Sequence, residues 1–211
     1  MYYCGEMMIS YIKGIVTFIG ENNIILDNNG IGYDICMPSK DLSSIYLNDE
    51  IQVFTFLQVK EDGFSLFGFL DKNEIDLFKK LIGVSGVGPK TAIGCFSLYS
   101  SSDILFSILS DDYKNLSKVP GLGIKTAKKI ILELKDKISL PDAVSAKESE
   151  DEGPKIGEKR ASLDENNKND AILALQALGY ASSEILKALS RIKVSEDMST
   201  ESIIKSLLKL L

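Results

Sequence analysis

The sequence predicts an α+β chain: a small β-barrel, then a helical region built on a repeated hairpin, then a polar tether and a bundle of three helices. Three observations predict it. Five short runs rich in β-branched and aromatic residues, parted by turn signals, fill residues 8–70. Over residues 71–140 the apolar period becomes helical and one glycine-containing motif occurs twice. Residues 141–168 lose periodicity, and residues 169–211 regain it.

Residues 1–7 carry no pattern and read as a leader, either native or a remnant ahead of a start at Met8. Tyr11 to Ile19 is the first expected strand. Asn23 to Asp27 is the second, and Asn28-Asn29-Gly30 is a turn signal that leads to a third over Ile31 to Met37. Pro38 stops that strand. Ile51 to Lys60 and Phe64 to Phe69 are the fourth and fifth, joined by the tight Glu61-Asp62-Gly63 link. Five short strands of this spacing suggest an antiparallel barrel of the OB type.

Asp71 is placed to cap a helix that carries Ile75, Leu77, Phe78, Leu81 and Ile82. Helices are also expected over Pro89 to Leu98, Asp103 to Leu109, Tyr113 to Lys118 and Ile124 to Lys137. Proline suits the first helical position, because its missing N–H is not needed there. The stretch from Pro141 to Lys168 is Ser-, Glu-, Asp- and Asn-rich and reads as a flexible acidic linker. Beyond it, Asp170 to Leu178, Ser182 to Ile192 and Ser199 to Leu210 form a three-helix, UBA-like bundle, autonomous on its tether.

Composition excludes several chemistries. The chain has 211 residues, of which 45% are hydrophobic, enough for packed cores in one to three domains. It shows no apolar run of membrane-spanning length and no basic-then-apolar start, so neither a membrane span nor a secretory signal is expected. Cys4, Cys36 and Cys95 are few and scattered, which fits a reduced, cytoplasmic protein. Histidine is absent, which removes the Ser-His and Cys-His nucleophile systems and the usual zinc sites. No cofactor or metal is expected. The formal charge of −6 speaks mildly against nucleic acid, although a basic face can coexist with an acidic total.

The repeated motif carries the functional signal. Val84-Ser85-Gly86-Val87-Gly88-Pro89-Lys90-Thr91-Ala92 returns, at a constant offset, as Val119-Pro120-Gly121-Leu122-Gly123-Ile124-Lys125-Thr126-Ala127. In each copy glycines let the chain turn and bring backbone close to a ligand, and a helix then begins. Its unpaired N–H groups and positive dipole end suit a phosphate oxygen. Lys90 and Lys125, one turn in, add charge. One such copy reads equally well as a plain turn between packed helices. Two matched copies favour two phosphates of one nucleic-acid backbone, contacts that position a duplex without reading its sequence. A nucleotide-binding reading of Gly83, Gly88 and Lys90-Thr91 fails, because Pro89 intervenes and no strand leads in.

The order of modules resembles the RuvA family, the Holliday-junction-binding subunits of the bacterial branch-migration complex. The resemblance spans Met8 to Leu211 apart from the linker. It is carried most specifically by Gly86-Val87-Gly88-Pro89-Lys90, by Pro120-Gly121-Leu122-Gly123 with Lys125-Thr126-Ala127, and by Leu178-Gly179-Tyr180. It implies a non-catalytic protein that holds four-way DNA junctions open and recruits the RuvB ATPase through its last domain, in recombination and repair. It also implies a homotetramer or an octamer, and the RuvC resolvase as a further partner. DNA contacts are then expected at Gly86, Val87, Gly88, Pro89, Lys90, Gly121, Leu122, Gly123, Lys125, Thr126, Lys128 and Lys129. The family's acidic pin matches Glu61 and Asp62, whose charges would oppose phosphates at the crossover. On residue types alone the same link reads as a polar turn. A metal-nuclease reading lacks further ligands beside it.

One departure stands out: Ile124 occupies a place that is often basic in the family, so Lys125, Lys128 and Lys129 must supply more of the charge. Lys128 and Lys129 read alternatively as a solvated helix face. In the last domain Leu175, Leu178, Tyr180, Leu189, Leu207 and Leu208 are the candidates for holding the motor. Two rival functions remain. In a helix-hairpin-helix DNA glycosylase, Lys125 would be the nucleophile, but the expected aspartate falls on Ala143, with Asp142 displaced beside Pro141. A passive architectural DNA protein would need no motor.

Overall fold

The computed structural model describes residues 8–61, 63–138, 163–180, 182–189, 192 and 198–211. Strands β1 (Tyr11–Ile19), β2 (Asn23–Asn28), β3 (Ile31–Cys36), β4 (Glu50–Lys60) and β5 (Gly63–Phe69) close a barrel in the order β1-β2-β3-β5-β4. Alternation sets the barrel interior: Ile12, Val16, Ile24, Leu26, Ile35, Met37 and Val53 are all buried there. The β2–β3 turn has Asn29 at φ 53° and Gly30 at φ 85°, the left-handed pair that a two-residue hairpin of matching twist requires.

Two expectations need correction. The barrel is not wholly antiparallel: β3 and β5 pair in parallel through Ile35↔Leu66 and Cys36↔Phe67. Directions cannot alternate around a closed ring of five strands, so one seam must be parallel. The connection that makes it so contains a one-turn helix, α1 (Ser39–Leu42), absent from the sequence expectation. A helix this short has no periodicity to read.

The helical region comprises α2 (Lys72–Ile82), α3 (Pro89–Leu98), α4 (Ser101–Leu109), α5 (Tyr113–Leu116) and α6 (Ile124–Leu134), the last continuing as a 3₁₀ turn over Lys135–Lys137. Asp71 caps α2 by accepting from the Asn73 N–H at 2.6 Å. Ser100 and Asp103 form a capping box on α4, which therefore starts at Ser101, ahead of the expected Asp103.

Phe78 on α2 joins the barrel to this region. Its ring lies 5.6 Å from Phe56, 5.8 Å from Phe67 and 5.2 Å from Phe69, all on the outer face of β4 and β5. The Ser39 N–H donates to Ser97 Oγ at 3.1 Å, a second tie between α1 and α3. Asp41 on α1 is 8% exposed, faces Asp71 and Glu74 across the same joint, and has one carboxyl oxygen with no hydrogen-bond partner among the described residues.

Three more helices follow: α7 (Leu163–Ala177), α8 (Ser182–Leu189) and α9 (Thr200–Leu208). Helix α7 begins inside the stretch that composition assigned to the linker. Asn166, Asn167 and Asn169 are weak helix formers, but Ala171, Ile172 and Leu175 are fully buried, and that packed face outweighs propensity. Gly179 (φ 93°) ends α7, with the Tyr180 N–H returning to Leu175 O at 3.2 Å. Helix α8 packs against α4 as well as against its neighbours, so the bundle's apolar core is continuous with that of the tandem hairpins. The sequence expectation was an autonomous bundle. Helix α4, with Ile104, Leu105, Ile108 and Leu109 buried, supplies the extra face.

Candidate nucleic-acid interface

Both hairpins are built alike. In the first, Gly86 takes φ 98° and the Val87 N–H donates to Val84 O at 3.0 Å. In the second, Gly121 takes φ 83° and the Leu122 N–H donates to Val119 O at 3.0 Å. The side chains of Val84, Val87, Val119 and Leu122 are buried. A helix starts at once after each turn. The first ladder bond of α3 runs from the Ala92 N–H to Gly88 O, and that of α6 from the Ala127 N–H to Gly123 O. Amides ahead of those bonds have no partner in the helix.

Elsewhere Asp71, Ser100, Asp112 and Ser199 cap their helices with side-chain oxygens, whereas Gly88 and Gly123 offer none. Both are exposed, and apart from their own chain neighbours no atom of the described residues comes within 4 Å of where a Cβ would stand. Each helix therefore ends in an open, positively polarised group of amides. The copies differ in one donor. Pro89 has no N–H, so the first presents Lys90 and Thr91, while the second presents Ile124, Lys125 and Thr126.

The two hairpins pack on each other reciprocally. A Cβ built on Gly86 would lie 3.8 Å from Thr126 Cγ2, and one on Gly121 would lie 3.4 Å from Thr91 Oγ1. Each threonine thus covers the left-handed glycine of the other copy. This explains the repeated Lys-Thr-Ala: lysine exposed, threonine between the hairpins, and Ala92 and Ala127 fully buried. The two amide ends are held in one rigid unit.

Three assignments change accordingly. Val87 and Leu122 are core side chains whose N–H groups are spent closing the turns, so neither is available to DNA. Thr126 is half-buried and its methyl ties the hairpins together. The role of Thr91 was missed, although the duplicated threonine was its signal. Lys90 and Lys125 are exposed, and neither forms an ion pair among the described residues. Lys128 Nζ sits 4.6 Å from the centre of the Tyr113 ring, and Lys129 Nζ lies 3.8 Å from Glu133. The charge at the hairpins thus rests first on Lys90 and Lys125. Burial pushes the Cys36 thiol on β3 up, and Lys90 is close enough to oppose that, which places the first hairpin beside the barrel.

Glu61 is exposed at the tip of the β4–β5 ribbon, where Lys60 pairs with Gly63. Asp62, the second carboxylate of the expected pin, lies outside the described residues, as do the leader and residues 139–162. In the last three helices Leu175 and Leu207 are fully buried and belong to the core, not to a docking surface. Leu178 and Leu208 are exposed, and Tyr180 and Leu189 are half-buried. Leu173, exposed on α7, was missed because the helical stripe of Ile172 and Leu175 points inward and it lies off that stripe.

The four hairpin glycines should separate folding from binding. Gly86→Ala and Gly121→Ala force a Cβ into the left-handed region and are expected to cost about 1–2 kcal/mol each in denaturant unfolding. Gly88→Ala and Gly123→Ala sit at ordinary φ (−86° and −72°) in open space. Their stability should stay within about 1 kcal/mol, while DNA affinity at fixed salt falls roughly tenfold, as expected when a charge-assisted contact is blocked. An unchanged affinity in the latter pair would show that the amides face no phosphate.

Three families match in succession: RuvA N terminal domain over residues 8–68, SAM-like helix-hairpin-helix tandem over 78–136, and RuvA C-terminal domain over 166–211. Curated relatives match along almost the whole chain. The Holliday junction branch migration complex subunit RuvA of Lachnospira eligens is 39% identical, covering 96% of this chain and 98% of the relative. The protein of that name from Thermoanaerobacter sp. is 42% identical over the same shares. The one from Bacillus cytotoxicus is 38% identical, over 97% and 98%. With its barrel, reciprocal hairpins and last helices each matched in order, the chain belongs to the RuvA family.

Proposed function

We propose that this chain binds four-way DNA junctions without reading their sequence, holds them open, and recruits a RuvB ATPase for branch migration, itself catalysing nothing. The observation that carries the reading is the reciprocal pair of uncapped helix ends, each beside a lysine that forms no ion pair among the described residues. It supports the gripping of one backbone at two phosphates a fixed distance apart. Contacts through main-chain amides are blind to base identity, as a protein that follows a moving crossover requires. Glu61, and Asp62 beside it, are assigned to the crossover, where their charge opposes phosphates and favours parted strands. The acidic total of −6 is compatible with this, because it is a sum and not a distribution.

Four copies, one per arm, complete the grip, with a second tetramer closing over the other face and RuvC as a further partner. The exposed Leu173, Leu178 and Leu208 are the residues assigned to the motor. The free thiols of Cys36 and Cys95 fit action in the cytoplasm, and among the described residues no single helix is long and apolar enough to cross a membrane.

The test is a gel-shift titration of junction and linear duplex at matched salt, with the mass of the bound species determined. Junction should bind at least about tenfold more tightly. Its log–log salt slope should steepen by about 0.9 per phosphate neutralised. Equal affinity for the two DNAs would refute the reading.

A further inference from the structure

The β4–β5 ribbon runs past the rim of the barrel. β1 pairs with β4 only as far as Phe54, and the β3 register ends on β5 at Leu66 and Phe67. Gln58 to Lys60 pair with Gly63 to Ser65 and, among the described residues, with no other strand. Their faces differ. Phe56 and Phe67 lie on the side covered by Phe78, so Gln58, Lys60 and Ser65 continue that side outward. Leu57 and Leu66 lie on the other side, and Leu66 packs into the barrel core. Val59 and Phe64, a direct cross-strand pair, extend this inward face beyond the rim, where no opposite wall among the described residues covers them. Val59 is 64% exposed and Phe64 is 75% exposed.

A large aromatic left in water at the end of a ribbon, one residue pair from Glu61, is open to a partner. Chemistry narrows the choice. Beside Glu61 a phosphate is repelled, and the surface is apolar and flat. What fits is an uncharged, planar, apolar face that becomes available where DNA strands part, which is the face of an unstacked nucleobase.

Resting on the junction-binding reading above, we infer that Phe64, supported by Val59, is a stacking platform for a base freed at the crossover. The carboxylate turn repels the backbone, while the apolar face beside it offers the released base a partner in place of its former neighbour. Unstacking a base step costs free energy, which an inserted apolar side chain partly returns. The ribbon thus opposes one part of the nucleotide and accepts another. Because stacking is indifferent to base identity, it also leaves recognition sequence-independent.

The chain has no tryptophan, so Phe64→Trp introduces a single reporter at this position. The full-length variant is titrated with a fluorescently labelled four-way junction and, separately, with linear duplex, and anisotropy of the labelled DNA follows binding in the same cuvette. Indole emission should be quenched on junction and not on duplex. In parallel, at saturating protein, Phe64→Ser should lower the fluorescence rise of 2-aminopurine at the crossover by about fivefold or more, with Phe64→Tyr restoring it. The exposed position leaves folding intact, which a thermal melt verifies.

Junction bound with unquenched indole, or a 2-aminopurine signal unchanged in Phe64→Ser, overturns the platform while leaving junction binding in place. Quenching that follows protein concentration without DNA overturns it in favour of contact between copies of the chain. Failure of the unsubstituted protein to prefer the junction defeats the parent reading instead.

Discussion

Reversing Lys90 and Lys125 together is expected to reduce junction binding by at least about 100-fold at moderate salt, with the melting temperature nearly unchanged. Each ammonium stands beside an uncapped helix end and pairs with no carboxylate among the described residues. A charge-assisted hydrogen bond is worth about 1.5–3 kcal/mol, so removing two corresponds to roughly two to four decades. Lys90→Ala and Lys125→Ala should instead flatten the salt dependence, by about 0.9 in slope for each phosphate no longer neutralised. Stability is spared because both side chains are exposed and support nothing inside the fold.

The same titration tests how the charge is distributed along α6. Lys129 is already turned toward Glu133 and Lys128 toward Tyr113, so Lys129→Ala should weaken binding by less than about threefold. An effect at Lys129 equal to that at Lys125 would mean that the helix face, rather than the hairpin, meets the DNA. Ile124 gives the second copy an amide where Pro89 gives the first none. The single variant Lys90→Glu is therefore expected to cost more than Lys125→Glu, because the first site has fewer backbone donors to fall back on.

What could be read from the chain alone follows the range of the forces involved. The strands and the helices of the tandem region were legible because alternation and the helical period are local properties of the text. Gly86, Gly121 and Lys-Thr-Ala were legible because they are repeated. The contact between copies was not, since nothing within nine residues says that Thr126 covers Gly86. Val87 and Leu122 stand between the glycines, where a ligand contact is the natural expectation. Their burial is decided by the helices packed behind them. Leu175 and Leu207 show the converse limit: a helical stripe names the apolar side chains but not which of them a second helix will cover. The exposure of Phe64 was equally illegible, because it depends on where β1 and β3 stop, and those residues are distant in sequence.

The joint between barrel and helices should make the fold less stable as pH rises from 6 to 9. Asp41, Asp71 and Glu74 face one another there, with Lys40 as the nearby cation and Ser101 Oγ donating to Glu74 at 3.4 Å. Burial, and then the neighbouring Asp41 and Asp71 charges, push the Glu74 carboxyl up to about 8. Burial pushes Asp41 up to about 6 against the Leu70 N–H and Lys40. A carboxyl with a raised folded-state pKa binds a proton that the unfolded chain has released. Its contribution is therefore complete below the unfolded value and is lost as pH climbs through the folded one. Asp41 gives up most of its share below pH 6. Glu74 loses its share from about pH 4.5 up to about 8, at up to about 1.4 kcal/mol per unit, of which the part between pH 6 and 8 comes to roughly 2–3 kcal/mol. Urea unfolding across this range should show the decline. Glu74→Gln keeps a side chain that can accept from Ser101 without the charge, so its stability should stay nearly flat and exceed that of the parent at pH 9. Parallel pH profiles for the two proteins would mean that Glu74 is ionised in the folded state. The consequence reaches the interface. Asp41 belongs to the barrel that carries the Glu61 tip, whereas Glu74 and Ser101 belong to the helices that carry the hairpins. Ionising this pair loads the joint that fixes the carboxylate turn relative to the phosphate sites. Junction opening should therefore fall at alkaline pH before junction binding does, and Glu74→Gln should remove that difference.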